Sequence, residues 1–240
     1  MSRLYTLIII TTIILQACNT KTSDTHINRA NSKIIIDGIA DDAAWAQTEW
    51  RPMDQQWLGE DYTAEDFSGK YKVLWDDTRL YVLAEIIDDT LIDIRTNGLD
   101  RYWDDDCLEI FVDQDASGGG HQFSYNAFAY HIGLDGRVVD FGADEQPHYY
   151  SHVHNARTTA GDKSIWEASI YLYDDTFQRN SDSQYTKLSD GHTIGFAIAY
   201  CDNDHSEERE NFIGSIYVDG EDKNQGYKNA DIFEKCVLVK

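Results

Sequence analysis

This chain has only two prolines, Pro52 and Pro147, in 240 residues. No Pro-rich linker can divide it, and its length suits one domain of all-β size. Positive charge is scarce as well. Lys and Arg number 20 against 43 Asp and Glu, for a formal net charge of −23. So acidic a chain repels nucleic-acid phosphates and anionic membranes alike. A neutral ligand, calcium, or life outside a cell remains open to it. Cysteine is sparse, and none of Cys18, Cys107, Cys201 and Cys236 belongs to a CxxC pair. A zinc site therefore has little support, and the lack of a CxxCH excludes covalently attached haem. Cys107 and Cys236 lie in apolar-patterned segments and read as buried free thiols. One disulfide among the three later cysteines stays open if the chain is exported.

Long apolar runs are missing too. The best of them, residues 4–15 behind Arg3, is too short for a comfortable membrane span. It has the form of a signal-peptide core. Leu15-Gln16-Ala17-Cys18 resembles a bacterial lipobox, in which the chain is cut before the cysteine and the thiol is acylated. The expectation is an exported, membrane-anchored lipoprotein of a bacterial envelope or surface. Residues 1–17 would be the signal peptide, 18–32 the lipidated Cys18 and a flexible tether, and 33–240 the folded domain. Several acyl chains hold a protein firmly where one alone is marginal.

What the sequence does have is a succession of short strands and turn signals. Apolar residues make up 42 % of it, enough for a real core. Strands are expected at 33–36, 70–75, 80–87, 107–112, 122–130, 137–141, 148–158, 165–173, 193–200, 212–218 and 235–240. Residues 41–45 could form one helical turn capped by Asp41 or Asp42. About ten antiparallel strands and little helix imply a single all-β sandwich. Four long loops remain, at 50–69, 88–106, 174–192 and 219–231. Trp57, Tyr62, Tyr102 and Tyr227 argue that these are binding loops rather than disorder.

The most informative stretch runs from Trp103 through Asp104-Asp105-Asp106 to Asp113. It opens as an acidic turn and continues as a strand. Leu108, Ile110 and Val112 would face a core, while Cys107, Glu109, Phe111 and Asp113 face the other way. A ring and a carboxylate thus meet at the lip of one sheet face. That pair suits a sugar: the ring packs on the apolar face of a pyranose, and the carboxylate accepts hydroxyl protons. The plainer alternative is a core tryptophan beside a solvated turn.

Several segments, in order, resemble family 9 carbohydrate-binding modules. Ile36-Asp37-Gly38 with Asp41 and Trp45 is similar to the family's opening, and Val73-Leu74-Trp75-Asp76 with Leu80-Tyr81-Val82 to its next hairpin. Trp103 to Asp113 is similar to its most recognisable motif. Gln122-Phe123 with Asn126, Trp166-Glu167-Ala168, Ile194-Gly195-Phe196 and residues 224–240 continue the match. The resemblance implies a β-sandwich that holds a sugar between two rings and carries no chemistry of its own. Carried over residue by residue, Trp103 and Tyr227 are the rings, Glu109 a hydroxyl acceptor and Asn224 an amide partner. A family arginine falls on Ser124, which removes a donor; Arg95 or Arg101 could replace it. The implied ligands are mono- or oligosaccharides and glycan chain ends, with glycan-degrading enzymes as partners.

Competing readings use the same residues. Asp113 to Gly118 matches the first half of an EF-hand loop, but Ser124 stands where the bidentate glutamate belongs. An EF-hand is excluded, while a structural calcium at Asp113 and Asp115 stays open. Paired carboxylates of a glycosidase could be drawn from Asp104, Asp105, Asp106 and Glu109, but so acidic a chain offers pairs by chance. Haem-binding sandwiches related to the family suggest an electron-transfer alternative with Met53 and one of His121, His131, His148, His152 or His154 as axial ligands. A degenerate sandwich serving as a protein-interaction module is the third alternative.

Overall fold

The computed structural model describes residues 25–240, so the expected signal peptide and Cys18 lie outside the described residues. Among the described residues fourteen strands follow one another: β1 Thr25–Arg29, β2 Arg51–Met53, β3 Gln55–Leu58, β4 Phe67–Trp75, β5 Leu80–Asp88, β6 Cys107–Asp113 and β7 Phe128–Gly133. Then come β8 Val138–Phe141, β9 Pro147–Tyr149, β10 Val153–Ala160, β11 Lys163–Ile170, β12 Thr193–Asp202, β13 Asn211–Gly214 and β14 Glu234–Val239. The ladder order is β10-β11-β5-β4-β1-β14-β12-β6-β7-β8-β9. Its two halves face each other as a sandwich. Val73, Val82 and Trp166 from one layer share a core with Ile110, Tyr130 and Ile198 from the other.

The seam between the layers is β1, parallel to both β14 and β4. The polar tether expected through residue 32 therefore ends earlier. Ile27 is the reason: it is fully buried, and Trp75 Nε1 donates to its carbonyl at 3.0 Å and to Val239 O at 3.1 Å. The Val239 bond closes the seam. A single apolar residue in a polar run is too little for a periodicity argument to detect.

Residues 33–36, expected as a strand, are extended but unpaired in any ladder. They lie over the outer face of the first layer, where Ile34 and Trp45 cover Leu74 and Leu83. The helical turn is a 3-10 helix, Ala43–Gln47, and Asp42 sits at its N-cap without a side-chain bond to it. The Asp42 carboxylate accepts the Ile35 amide at 2.7 Å instead. The strand expected over 122–130 begins only at Phe128, because residues 121–127 turn to meet the closing loop. Met53, considered above as a haem ligand, is buried inside the main core.

Candidate functional site

Strand β6 alternates as its sequence requires. Leu108, Ile110 and Val112 enter the core between the layers, and Cys107 and Phe111 join a second apolar cluster on the outer face. That outer face is not left to solvent. Trp57, Phe212 and Phe233 roof it, with Trp103 packed against them. Glu109 lies under this roof and is 1 % exposed.

The acidic turn before β6 is not solvated either. Asp104, Asp105 and Asp106 are all buried. Asp105 accepts the Arg95 amide at 2.8 Å, and Asp106 accepts the amides of Ile92 and Asn203. These bonds pin the preceding loop and the loop after β12 to one turn. Arg101 takes a left-handed φ of 45° just before Tyr102 and Trp103. A non-glycine residue holds that conformation only where its surroundings enforce it.

The loop bearing Asn224 and Tyr227 is held from below. Gly226 rests on the Phe111 ring, where an added Cβ would come within 2.6 Å. The His121 ring is 2.8 Å from Gly226 O, and the His121 amide donates to Lys228 O at 3.0 Å. The turn before His121 is fastened by Asp113, which accepts the amides of Gly118 at 2.8 Å and Asp115 at 3.2 Å. Asp115 accepts the Ser117 amide at 3.1 Å. The two carboxylates singled out for calcium thus cap a turn that supports the binding loop.

Between these loops opens a pocket of about 340 Å³. Trp103, Glu109, Asn224 and Tyr227 all line it, together with Tyr102, Gln122, His131, Asp140, Phe141 and Arg209. Trp103 stands edge-on to Tyr102 at 5.0 Å, and both Trp103 and Tyr227 are half-buried. Ser124 is exposed and does not line the pocket. Arg95 and Arg101 do not replace the family arginine. They engage Asp104 at 3.4 and 3.8 Å.

The cationic groups here are two residues that the sequence did not single out for the site. His131 pairs with Glu109 across the β6–β7 ladder, Nε2 to Oε2 at 3.1 Å. Burial alone would depress its pKa, but the Glu109 carboxylate outweighs burial and raises it. Arg209 lies over the Phe212 ring at 4.1 Å, and its Nη1 donates to Cys201 Sγ at 3.1 Å. No local motif marks either residue; only strand register and loop packing bring them in. Asp140 accepts the amides of Ala129 and Phe141, yet burial holds its carboxyl up at about 7. Glu109 is different: neither of its oxygens accepts a hydrogen bond.

Behind the Trp103 turn lies a second group. Oxygens of Asp88, Asp106 and Asp202 fall within 4.8 Å of one another, and all three residues are buried. Burial, with repulsion from neighbouring carboxylates added, pushes Asp88 up to about 6, Asp202 to about 8 and Asp106 to about 9. Asp202 Oδ1 has no hydrogen-bond partner. An all-oxygen set of this charge suits a hard cation such as calcium.

A family model described as carbohydrate family 9 binding domain-like matches residues 36–240. Two solved structures of a family 9 carbohydrate-binding module from Caldicellulosiruptor kristjanssonii share the fold. The one in complex with cellotriose aligns at 19 % identity and a TM-score of 0.66, over 90 % of this chain and 94 % of its own. The one in complex with glucose aligns at 20 % identity and 0.65, over 89 % and 95 %. A structure from Bacteroides uniformis aligns at 12 % identity and 0.56, over 90 % of this chain and 100 % of its own. No curated protein matches.

Proposed function

Because the chain belongs to the carbohydrate family 9 binding domain-like family, we propose that its pocket binds a sugar between Trp103 and Tyr227. One observation carries this reading. A buried carboxylate on the floor of a pocket walled by rings, Glu109, has His131 at 3.1 Å as its charge partner, yet neither of its oxygens accepts a hydrogen bond. Such a group is costly to bury unless a ligand satisfies it. Sugar hydroxyls would do so, with the Asn224 amide as a further partner.

The energetics are modest. Covering about 100 Å² of apolar sugar surface at roughly 25 cal/mol per Å² contributes about 2–3 kcal/mol. Each good hydrogen bond adds about 1 kcal/mol, and more where Glu109 is the acceptor. After the cost of association, micromolar to millimolar affinity is expected. Binding at that strength suits a module that supports glycan degradation or uptake beside enzymes. We place it on a bacterial envelope, anchored through Cys18.

Calcium belongs to the proposal in a structural role. The triad of Asp88, Asp106 and Asp202 fits it better than Asp113 and Asp115, because it gathers three buried carboxylates within 4.8 Å and includes Asp202 Oδ1, which has no hydrogen-bond partner. The ion would neutralise three carboxylates and stiffen the turn that carries Trp103.

The test is a glycan array of the full chain, with and without calcium, beside Trp103→Ala. Binding to neutral sugars that the variant loses supports the reading. Silence across mono- and oligosaccharides, or binding that the variant retains, would refute it. The chain should not be started at residue 33, because that removes β1 from the seam.

A further inference from the structure

The floor of the pocket holds more than an acceptor for hydroxyls. One atom each from Glu109, His131 and Cys201 lies within 4.8 Å of the others, and all three residues are buried. The His131 Nε2 and Glu109 Oε2 atoms are 3.1 Å apart, yet the contact lacks the direction of a hydrogen bond. Glu109, His131 and Cys201 come from the neighbouring strands β6, β7 and β12, and the ladder register sets them side by side.

We propose that Glu109, His131 and Cys201 form a three-ligand site for a zinc-like divalent transition metal, with its fourth position open to the pocket. Nitrogen, sulfur and oxygen donors in one set exclude calcium and magnesium as the preferred ions. Metal–ligand bonds of about 2.0–2.3 Å require only small closure from the present separations. Each ligand but Glu109 already has an outer partner. His131 Nδ1 lies 3.1 Å from Ala129 O, which fixes the tautomer with its lone pair on Nε2. Arg209 Nη1 donates to Cys201 Sγ at 3.1 Å, as a thiolate would require. The Glu109 carboxylate and the Cys201 thiolate supply two negative charges to match a divalent ion. The site shares Glu109 with the sugar pocket but does not depend on the sugar reading.

Cobalt(II) is the probe. The full chain, stripped of metal and kept reduced by a phosphine, is titrated with Co²⁺ under excess Ca²⁺. Reduction matters because Cys107 stands directly across the β6–β12 ladder from Cys201, and a disulfide there would remove the thiolate. The expected result is one equivalent bound, with thiolate-to-cobalt charge transfer and tetrahedral visible bands, displaced by Zn²⁺. Cys201→Ser should abolish the charge-transfer band, and His131→Gln should weaken binding at least tenfold, as loss of a ligand costs no less than loss of an outer partner. A melting curve of each variant checks folding. Cobalt without a thiolate band, or a band unchanged by Cys201→Ser, would overturn the site. Failure of the sugar reading looks different: no sugar binds with or without metal, while the cobalt band is intact.

Discussion

Each layer of the sandwich buries one glutamate on its outer face, and the two could hardly be treated more differently. Glu167, on β11, is 1 % exposed and accepts from the amides of Asp37 and Gly38 and from Trp45 Nε1 at 3.0–3.1 Å. Glu109, on β6, is equally buried and accepts from nothing. The first face is closed by the segment before Trp45, and its carboxylate serves as the anchor of that cover. The second is roofed only in part, and its carboxylate looks into a pocket. Burial by itself therefore does not separate a structural acid from a functional one; the count of satisfied lone pairs does.

The largest expected effect tests the closed face. Glu167→Ala leaves three donors without an acceptor, at about 1–3 kcal/mol each for the two buried ones, Gly38 N and Trp45 Nε1. The melting temperature should fall by many degrees while sugar affinity, measured calorimetrically on the surviving fold, stays put. A stable variant would show that the anchor is dispensable and break the contrast.

On the open face the signs reverse. Glu109→Gln should cost sugar affinity by roughly tenfold or more, the value of a hydrogen bond to a charged acceptor. It should lower the melting temperature far less than Glu167→Ala, since no backbone amide of the fold depends on that carboxylate and His131 is its close charge partner. A large drop in stability with unchanged affinity would make Glu109 a second Glu167.

A smaller effect is expected at Gly226. Gly226→Ala drives a methyl into Phe111 and should lift the loop of Asn224 and Tyr227. Sugar affinity should weaken several-fold, with only a slight loss of stability because the loop is peripheral. Unchanged affinity would detach that loop from the pocket's function.

The smallest effect lies between the layers, away from both faces. His152 is packed among the rings of Phe128, Tyr150 and Phe177, and its Nε2 meets Tyr130 OH at 2.6 Å. Burial, then the neighbouring His154 charge, pushes its pKa down to about 4. A depressed folded pKa gives stability that is present above the unfolded value near 6.5 and is lost as pH falls toward about 4. Melting curves between those pH values should slope downward with acid, and His152→Phe should flatten the slope. An identical slope in the variant would assign the acid sensitivity elsewhere.

Much of this was legible along the chain. The alternation in residues 107–113 decides which side chains enter the core, because successive residues of a strand face opposite ways. The family resemblance led from there to Trp103, Glu109, Asn224 and Tyr227, and these four do line one pocket. The Asp run was harder. A run of three acids reads as solvated, yet each is buried, because backbone amides of two loops take oxygens of Asp105 and Asp106 and arginine side chains meet Asp104. Strand β1 was illegible, since its partners come from the far end of the chain.

The sequence by itself determined the all-β class, the two-faced strand β6 and the chemistry available at the pocket, because those follow from side-chain type and local period. Only the tertiary structure decided which groups meet. His131 reaches Glu109 through ladder register, Arg209 reaches Cys201 through a loop, and Asp88, Asp106 and Asp202 converge from two strands and a turn. Such meetings are set by packing between residues distant in sequence, which no local pattern encodes.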